Sequence, residues 1–250
     1  MQKSLKARLQ EGERLIGSFV MMPSGDVAEI LCLAGFDFLL LDHEHGTGGI
    51  VDLVGQLRAM DACGVPSMVR VPFNDPAYVK RVLDAGAQNI LCPNVESAED
   101  AKKFVDACLY PPRGIRGAGG GVRAARYGFD MPYYQPESED RMVIAVQIES
   151  ERGVNEIENI ALVPGVDMLF IGPRDLSSSI GVINKFDDAG LLALMSRAEE
   201  TIKSTGKLLG SVIYPGKTSS EMFERGYNML IAGTDVGFLA AGARQALKGR

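Results

Sequence analysis

The chain has 250 residues, 46% of them hydrophobic and 23% charged, and a formal net charge of -6. That length fits one α/β barrel as well as two small domains. The mild acidity excludes the concentrated basic face that phosphate binding needs, and no apolar run approaches the roughly 20 residues that span a bilayer, so neither nucleic acid nor a membrane is an expected partner.

The N-terminal segment MQKSLKARLQEGERL is charged and amphipathic, without the apolar stretch of a signal peptide, and a cytoplasmic location is expected. Cys32, Cys63, Cys92 and Cys108 form no C-x-x-C pair, which favours reduced, mostly buried thiols over zinc or disulfides.

Strand-like and helix-like runs then alternate to the end of the chain. Strands are expected at 15–21, 36–42, 66–71, 88–94, 141–149, 166–172, 207–214 and 228–233. Helices are expected near 26–34, 50–62, from Asp75-Pro76 onward, from Ser97 to about Cys108, near 187–205 and at the C-terminus. Asp75 and Pro76 supply an acidic cap with proline in the first turn. The strands are near-continuous apolar runs, as when both faces are covered. Eight of them with intervening helices predict a single (β/α)8 TIM barrel over residues 1–250. The competing doubly wound sheet requires a glycine-rich phosphate loop after the first strand, and MPSGD is a poor match to one. The irregular stretch at 110–140 is long for a compact domain and is expected to cover the site. Its GAGGG run (117–121) could hold phosphate through backbone N–H groups, but it follows no strand and reads rather as a mobile loop.

Barrel chemistry sits at the C-terminal ends of the strands. Polar residues collect there: Asp42, His43, Glu44 and His45; Arg70, Asn74 and Asp75; Asn94; Gln147 and Glu149; Arg174 and Asp175; Tyr214; Thr234 and Asp235. Glu149 and Asp175 each end an apolar strand, where a carboxylate is costly to desolvate without a cation or a proton partner. Together they point to one divalent metal. Gln147, two residues before Glu149, shares its face. The pair His43 and His45 fits zinc through H-x-H, or an oxygen-rich magnesium or manganese site beside them, and one histidine is a candidate general base. Arg70 within an apolar strand needs a carboxylate. A ligand carboxylate is the preferred partner, and an internal salt bridge with Asp42 or Glu44 is the alternative.

The segments AGFDFLLLDHEHG, VRVPFNDP, KRVLDAGAQNILCPNVES, YPPRGIRG, VQIES, GVDMLFIGPRDLS and AGTDVGFLAAGA carry a likeness. In this set, in order and nearly end to end, the chain resembles the HpcH/HpaI family of class II, metal-dependent pyruvate aldolases. The resemblance implies a barrel whose last helix is exchanged between subunits of a homo-oligomer, commonly a hexamer. It implies that Glu149 and Asp175 bind Mg²⁺, Mn²⁺ or Co²⁺, which chelates pyruvate. It implies acid–base work by His45 with Asp42 beside it, and approach of Asp84 from a neighbouring subunit. It implies that Arg70 steadies the pyruvyl oxygen and that Gln147 contacts substrate or a bound water. Gly172, Pro173 and Arg174 lie in the same strand-end motif and are expected against substrate. His43 and Arg174 depart from the family pattern, where small residues are usual, and an added cation at 174 would favour a more acidic substrate.

The expected reaction is reversible, metal-dependent cleavage of a 4-hydroxy-2-oxo acid to pyruvate and an aldehyde. A metal–enolate decarboxylase or a CoA-thioester lyase on the same barrel is the alternative. A non-catalytic barrel would have lost part of this residue set, which is complete here.

Overall fold

The computed structural model describes residues 3–130 and 139–248. Eight parallel strands close into a barrel in sequence order. They are β1 (Leu15–Val20), β2 (Phe38–Asp42), β3 (Ser67–Arg70), β4 (Ile90–Cys92), β5 (Ile144–Ile148), β6 (Met168–Ile171), β7 (Leu208–Val212) and β8 (Met229–Thr234). The helices are α1 (Leu5–Gln10), α2 (Gly25–Leu33), α3 (Ile50–Cys63), α4 (Pro76–Asp84), α5 (Ala98–Cys108), α6 (Glu151–Asn155), α7 (Ile157–Ala161), α8 (Pro173–Ser179), α9 (Ala189–Ser204), α10 (Ser219–Glu224) and α11 (Asp235–Ala246). The expected fold is the observed one, with strands shorter than their apolar runs because residues such as Phe36 and Gln88 belong to the turns.

Alternation along each strand sorts the core into two layers. Outward-facing Leu39, Leu41, Val69, Val146 and Leu169 pack against the helices. Inward-facing Phe38, Leu40, Met68, Ala145 and Phe170 fill the barrel. The interior rings take space that a glycine leaves on the neighbouring strand. A Cβ on Gly17 would meet the Phe38 ring at 2.5 Å, and one on Gly210 would meet Phe170 at 2.7 Å.

The charged N-terminal segment is more than a surface tail. Its residues form α1, capped by Ser4, and Leu5 and Leu9 of that helix join the barrel interior. The helix plugs the barrel at the N-terminal ends of the strands, and Lys6 ties it to Asp167 at 2.8 Å. Helices α6, α7, α8 and α10 were not expected, because five to seven residues are too few to establish a helical period. The expected caps are present: Asp75 accepts from the Tyr78 N–H at 2.8 Å and Ser97 from the Asp100 N–H at 3.1 Å.

The 110–140 stretch does not cover the C-terminal mouth of its own barrel in its described part. It packs beside α4, where Arg123 reaches the Ala85 carbonyl at 2.9 Å and Asp61 at 2.6 Å. Residues 131–138 of it lie outside the described residues. Among the described residues no helix is long and apolar enough to cross a membrane.

Removing the plug contact should be costly without changing topology. Leu9→Ala is expected to lower unfolding free energy by about 2–5 kcal/mol, with far-UV circular dichroism preserved. A loss under about 1 kcal/mol in denaturant titration would mean that α1 does not hold the barrel bottom.

Candidate active site

The inward alternation turns polar at the last step of three strands, where Asp42 follows Leu40, Arg70 follows Met68 and Gln147 follows Ala145. Beside them Gly172, one residue past β6, follows Phe170. Asp42 and Arg70 are register partners on β2 and β3. Both are buried, at 4% and 5% exposure. The guanidinium meets the carboxylate through two parallel bonds, Nε to Oδ1 at 2.9 Å and Nη2 to Oδ2 at 2.7 Å. Its face lies 4.7 Å from the Phe19 ring centre. The third nitrogen, Nη1, lies 3.1 Å from Glu44 Oε2 and 3.5 Å from Gln147 Oε1. Burial works against the Arg70 charge, yet the hydrogen bonds and charge of Asp42 leave its pKa raised. Of the two partners considered for Arg70, the chain itself supplies the internal one. A ligand meets only the Nη1 side.

Glu149 sits one residue past β5, buried to 8% exposure. Oε1 accepts from the Asn94 N–H at 2.6 Å, and Oε2 accepts from the Gln147 amide. Asn94 presents that N–H from a left-handed conformation, φ 52°. Gly172 completes the cradle, since a Cβ there would lie 2.9 Å from Gln147 Nε2 and 3.0 Å from Glu149 Oε2. Burial, then the charges of Asp175 and Glu44, push the Glu149 carboxyl up to about 7. Asp175 lies in the exposed first turn of α8, behind Pro173 at its start. Arg174 beside it is exposed.

Mutually repelling carboxylates with one buried oxygen lacking a hydrogen-bond donor, Glu44 Oε2, are a donor set that a hard divalent cation would satisfy. Among the described residues no group of three His, Cys, Asp or Glu side chains is arranged as a complete ligand cluster. Asp175 is near enough for its charge to raise the Glu149 carboxyl, so these two are the residues that would hold a cation. The two histidines do not form a zinc pair. His43 faces outward, buried, with Nδ1 2.8 Å from the Tyr78 hydroxyl, and burial lowers its pKa. His45 is largely exposed, with Nε2 3.8 Å from Glu44 Oε2.

Other strand-end polar residues are structural. Asp235 caps the end of β1, accepting from the Met21 and Met22 N–H groups at 3.0 and 2.8 Å. Asn74 donates to the Asp100 carbonyl at 2.9 Å. Tyr214 lies 3.4 Å from Arg225, which is bound to buried Glu199. Asp84 is not brought to this mouth. It ends α4 toward the opposite side of the barrel and pairs with Arg116 at 2.8 Å. The large recess of about 1150 Å³ also opens on that side, and its Lys6, Arg116 and Arg123 are engaged with Asp167, Asp84 and Asp61. Glu44, expected only at the strand end and as an alternative partner of Arg70, does lie beside that guanidinium.

Residues 15–241 match the family described as HpcH/HpaI aldolase/citrate lyase. The chain belongs to this family. It is 39% identical to a hydroxypyruvate/pyruvate aldolase of Paraburkholderia phytofirmans, over 98% of this chain and 96% of that one. It is 35% identical to the 4-hydroxy-2-oxo-heptane-1,7-dioate aldolase of Escherichia coli, over 100% of this chain and 95% of that one. A crystal structure of an HpcH/HpaI aldolase/citrate lyase family protein from Burkholderia cenocepacia superposes with a TM-score of 0.92 at 38% identity, covering 99% of this chain and 98% of that one.

The raised Glu149 pKa carries a stability consequence. The folded chain holds this carboxyl at about 7 against an ordinary 4.5. Its native-state penalty is absent below pH 4.5, grows as pH rises, and levels off above 7. In chelator-treated buffer at pH 8, Glu149→Gln should be more stable than the parent, by up to about 3 kcal/mol. The gap should close toward pH 4.5. A less stable variant at pH 8 in thermal unfolding would show that the carboxylate is not held under repulsion.

Proposed function

We propose that this chain reversibly cleaves a 4-hydroxy-2-oxo acid to pyruvate and an aldehyde with the help of a divalent cation. The chain is a carbon–carbon lyase of the aldolase type, and aldolase relatives aligned over nearly its whole length support that reading. The observation that carries the metal-assisted version is Glu149, buried and pushed toward neutrality beside Asp175 and Glu44. A cation held by Glu149 and Asp175 would supply Lewis-acid polarisation of the substrate's keto oxygen. Mg²⁺, Mn²⁺ and Co²⁺ all suit the oxygen donors.

The chain's own groups do the rest. Asp42 fixes the Arg70 guanidinium so that Nη1 faces the space beside Gln147, where negative charge develops on the pyruvyl oxygen. Gln147 holds Glu149 by its amide while its Oε1 faces Arg70. His45, exposed at the rim, takes the proton of the 4-hydroxyl during cleavage. Gly172 and Pro173 would shape the floor beside these groups, and Arg174, exposed next to them, is the cation that an acidic aldehyde half would meet. No lysine occupies the strand-end positions 42–45, 70–75, 93–94, 147–149, 172–175, 214 or 234–235, which disfavours a Schiff-base route.

The test is pyruvate release from a panel of 4-hydroxy-2-oxo acids, coupled to lactate dehydrogenase, with Mg²⁺, Mn²⁺, Co²⁺ or EDTA. Release that EDTA abolishes and metal restores is expected. In the same panel, Arg174→Ala should raise KM about tenfold for acids whose aldehyde half carries a carboxylate, and leave neutral ones unchanged. Release that persists in EDTA would refute the metal requirement. Oxaloacetate decarboxylation without any aldol cleavage would favour the alternative decarboxylase.

We further propose that the working form is a homo-oligomer. Val236, Phe238 and Leu239 of α11 are 46%, 40% and 64% exposed, and among the described residues of that helix only Asp235 is buried. Such a helix fits exchange onto a second copy, and Asp84 of one chain would approach His45 of another only in such an assembly. Sedimentation equilibrium should give a multiple of 26.9 kDa. A monomer at micromolar concentration would remove both ideas.

A further inference from the structure

We propose that Asn94 is a positioning residue for Glu149. It is the extra residue of a β-bulge that turns a backbone N–H out of the strand ladder and onto that carboxylate, and it thereby sets how tightly the mouth holds a divalent cation. This rests on the metal-assisted reading above and concerns how the chain prepares that site.

The register of β4 on β5 reveals the bulge. Ile90 pairs with Ile144 and Cys92 with Val146. The Ile90 N–H donates to the Val143 carbonyl at 3.0 Å, one residue before its register partner. Continued unchanged, this pattern assigns the Gln147 carbonyl to the N–H of residue 94. Val95 takes that carbonyl instead, at 3.1 Å. The chain after β4 therefore carries one residue more than the ladder needs. Asn94, at φ 52°, is that residue. Pro93 before it has no N–H, and within sheets proline is confined to edges, first positions and bulges.

The displaced Asn94 N–H donates to Glu149 Oε1 at 2.6 Å. In a regular ladder this N–H would be spent on the Gln147 carbonyl, and Oε1 would lose its donor. The Gln147 amide serves the other oxygen, Oε2. One donor on each oxygen fixes the orientation of the carboxylate and leaves both oxygens acceptor capacity for a cation. Loss of a group that orients a metal ligand in this way typically weakens metal binding ten- to a hundredfold. The residue type follows from the backbone. A left-handed φ is free for glycine, tolerated by asparagine and strained for a β-branched residue. The Asn94 side chain is exposed, so the part that meets Glu149 is its main chain.

The experiment titrates Mn²⁺ into the full, chelator-treated chain by calorimetry, with thermal unfolding of each variant alongside. Asn94→Gly keeps the left-handed backbone and should bind Mn²⁺ within about twofold of the wild type. Asn94→Val should bind about ten- to a hundredfold more weakly. If Asn94→Val does not fold, Asn94→Ala takes its place, with a smaller loss in the same direction. Wild-type affinity in the folded Val or Ala variant would overturn the inference, whatever its melting temperature. A Gly variant as weak as the Val variant would also overturn it, by assigning the effect to the Asn94 side chain. A wild type that binds no Mn²⁺, or binds it no better than Glu149→Gln does, would instead refute the cation site itself.

Discussion

The mouth of this barrel is organised by one buried ion pair. Asp42 and Arg70 face each other in register across β2 and β3. Taking both charges out of water costs several kcal/mol, and only near-ideal geometry offsets it. The two parallel bonds supply that geometry, and the Phe19 face adds a cation–π contact from a third strand. The same carboxylate then receives the N–H groups of Glu44 and His45. One side chain thus aims the guanidinium and fixes the turn that carries His45. Loss of either partner would leave an uncompensated buried charge, so the arrangement holds as a unit.

Across the mouth the logic reverses. Glu149 is surrounded by carboxylates and by burial, and both oppose its charge. The structure holds it there through Asn94, in a left-handed conformation, and the Gln147 amide, over a glycine that leaves room for both. Such constraints cost stability, and a bound cation is one group that would relieve them. The Arg70 guanidinium and the Glu149 carboxylate thus meet the two ends of the same Gln147 amide.

Much of the fold was legible from the sequence because eight apolar runs separated by helical periods admit few closures. Glu149, Asp175 and Arg70 were legible for a simpler reason: each interrupts or ends a run where charge is costly. The partner of Arg70 stayed open between a ligand carboxylate and Asp42 or Glu44, since choosing Asp42, 28 residues away, requires the register of two strands. Asp235, Asn74 and Tyr214 look the same in sequence as the site residues, yet they satisfy backbone and side-chain groups of the scaffold. Asp84 was marked by family pattern alone, and no local physics tied it to the mouth. The plug helix was hidden by its charges, because Leu5 and Leu9 one turn apart are a weak signal among six flanking polar residues.

The two ends of the barrel divide stability from chemistry by a single step of alternation. Leu40, Met68, Ala145 and Phe170 are the inward residues directly beneath Asp42, Arg70, Gln147 and Gly172. Sliding any one of these strands by one residue would turn Leu41, Val69, Val146 or Ile171 into the lumen and the site residue into the helix layer. The interior rings that nest on Gly17 and Gly210 resist that slip, because no other register offers them space. Packing at the bottom of the barrel therefore determines which carboxylates meet at the top. Within one chain, the Asp42–Arg70 pair and the cradle around Glu149 complete what that packing begins.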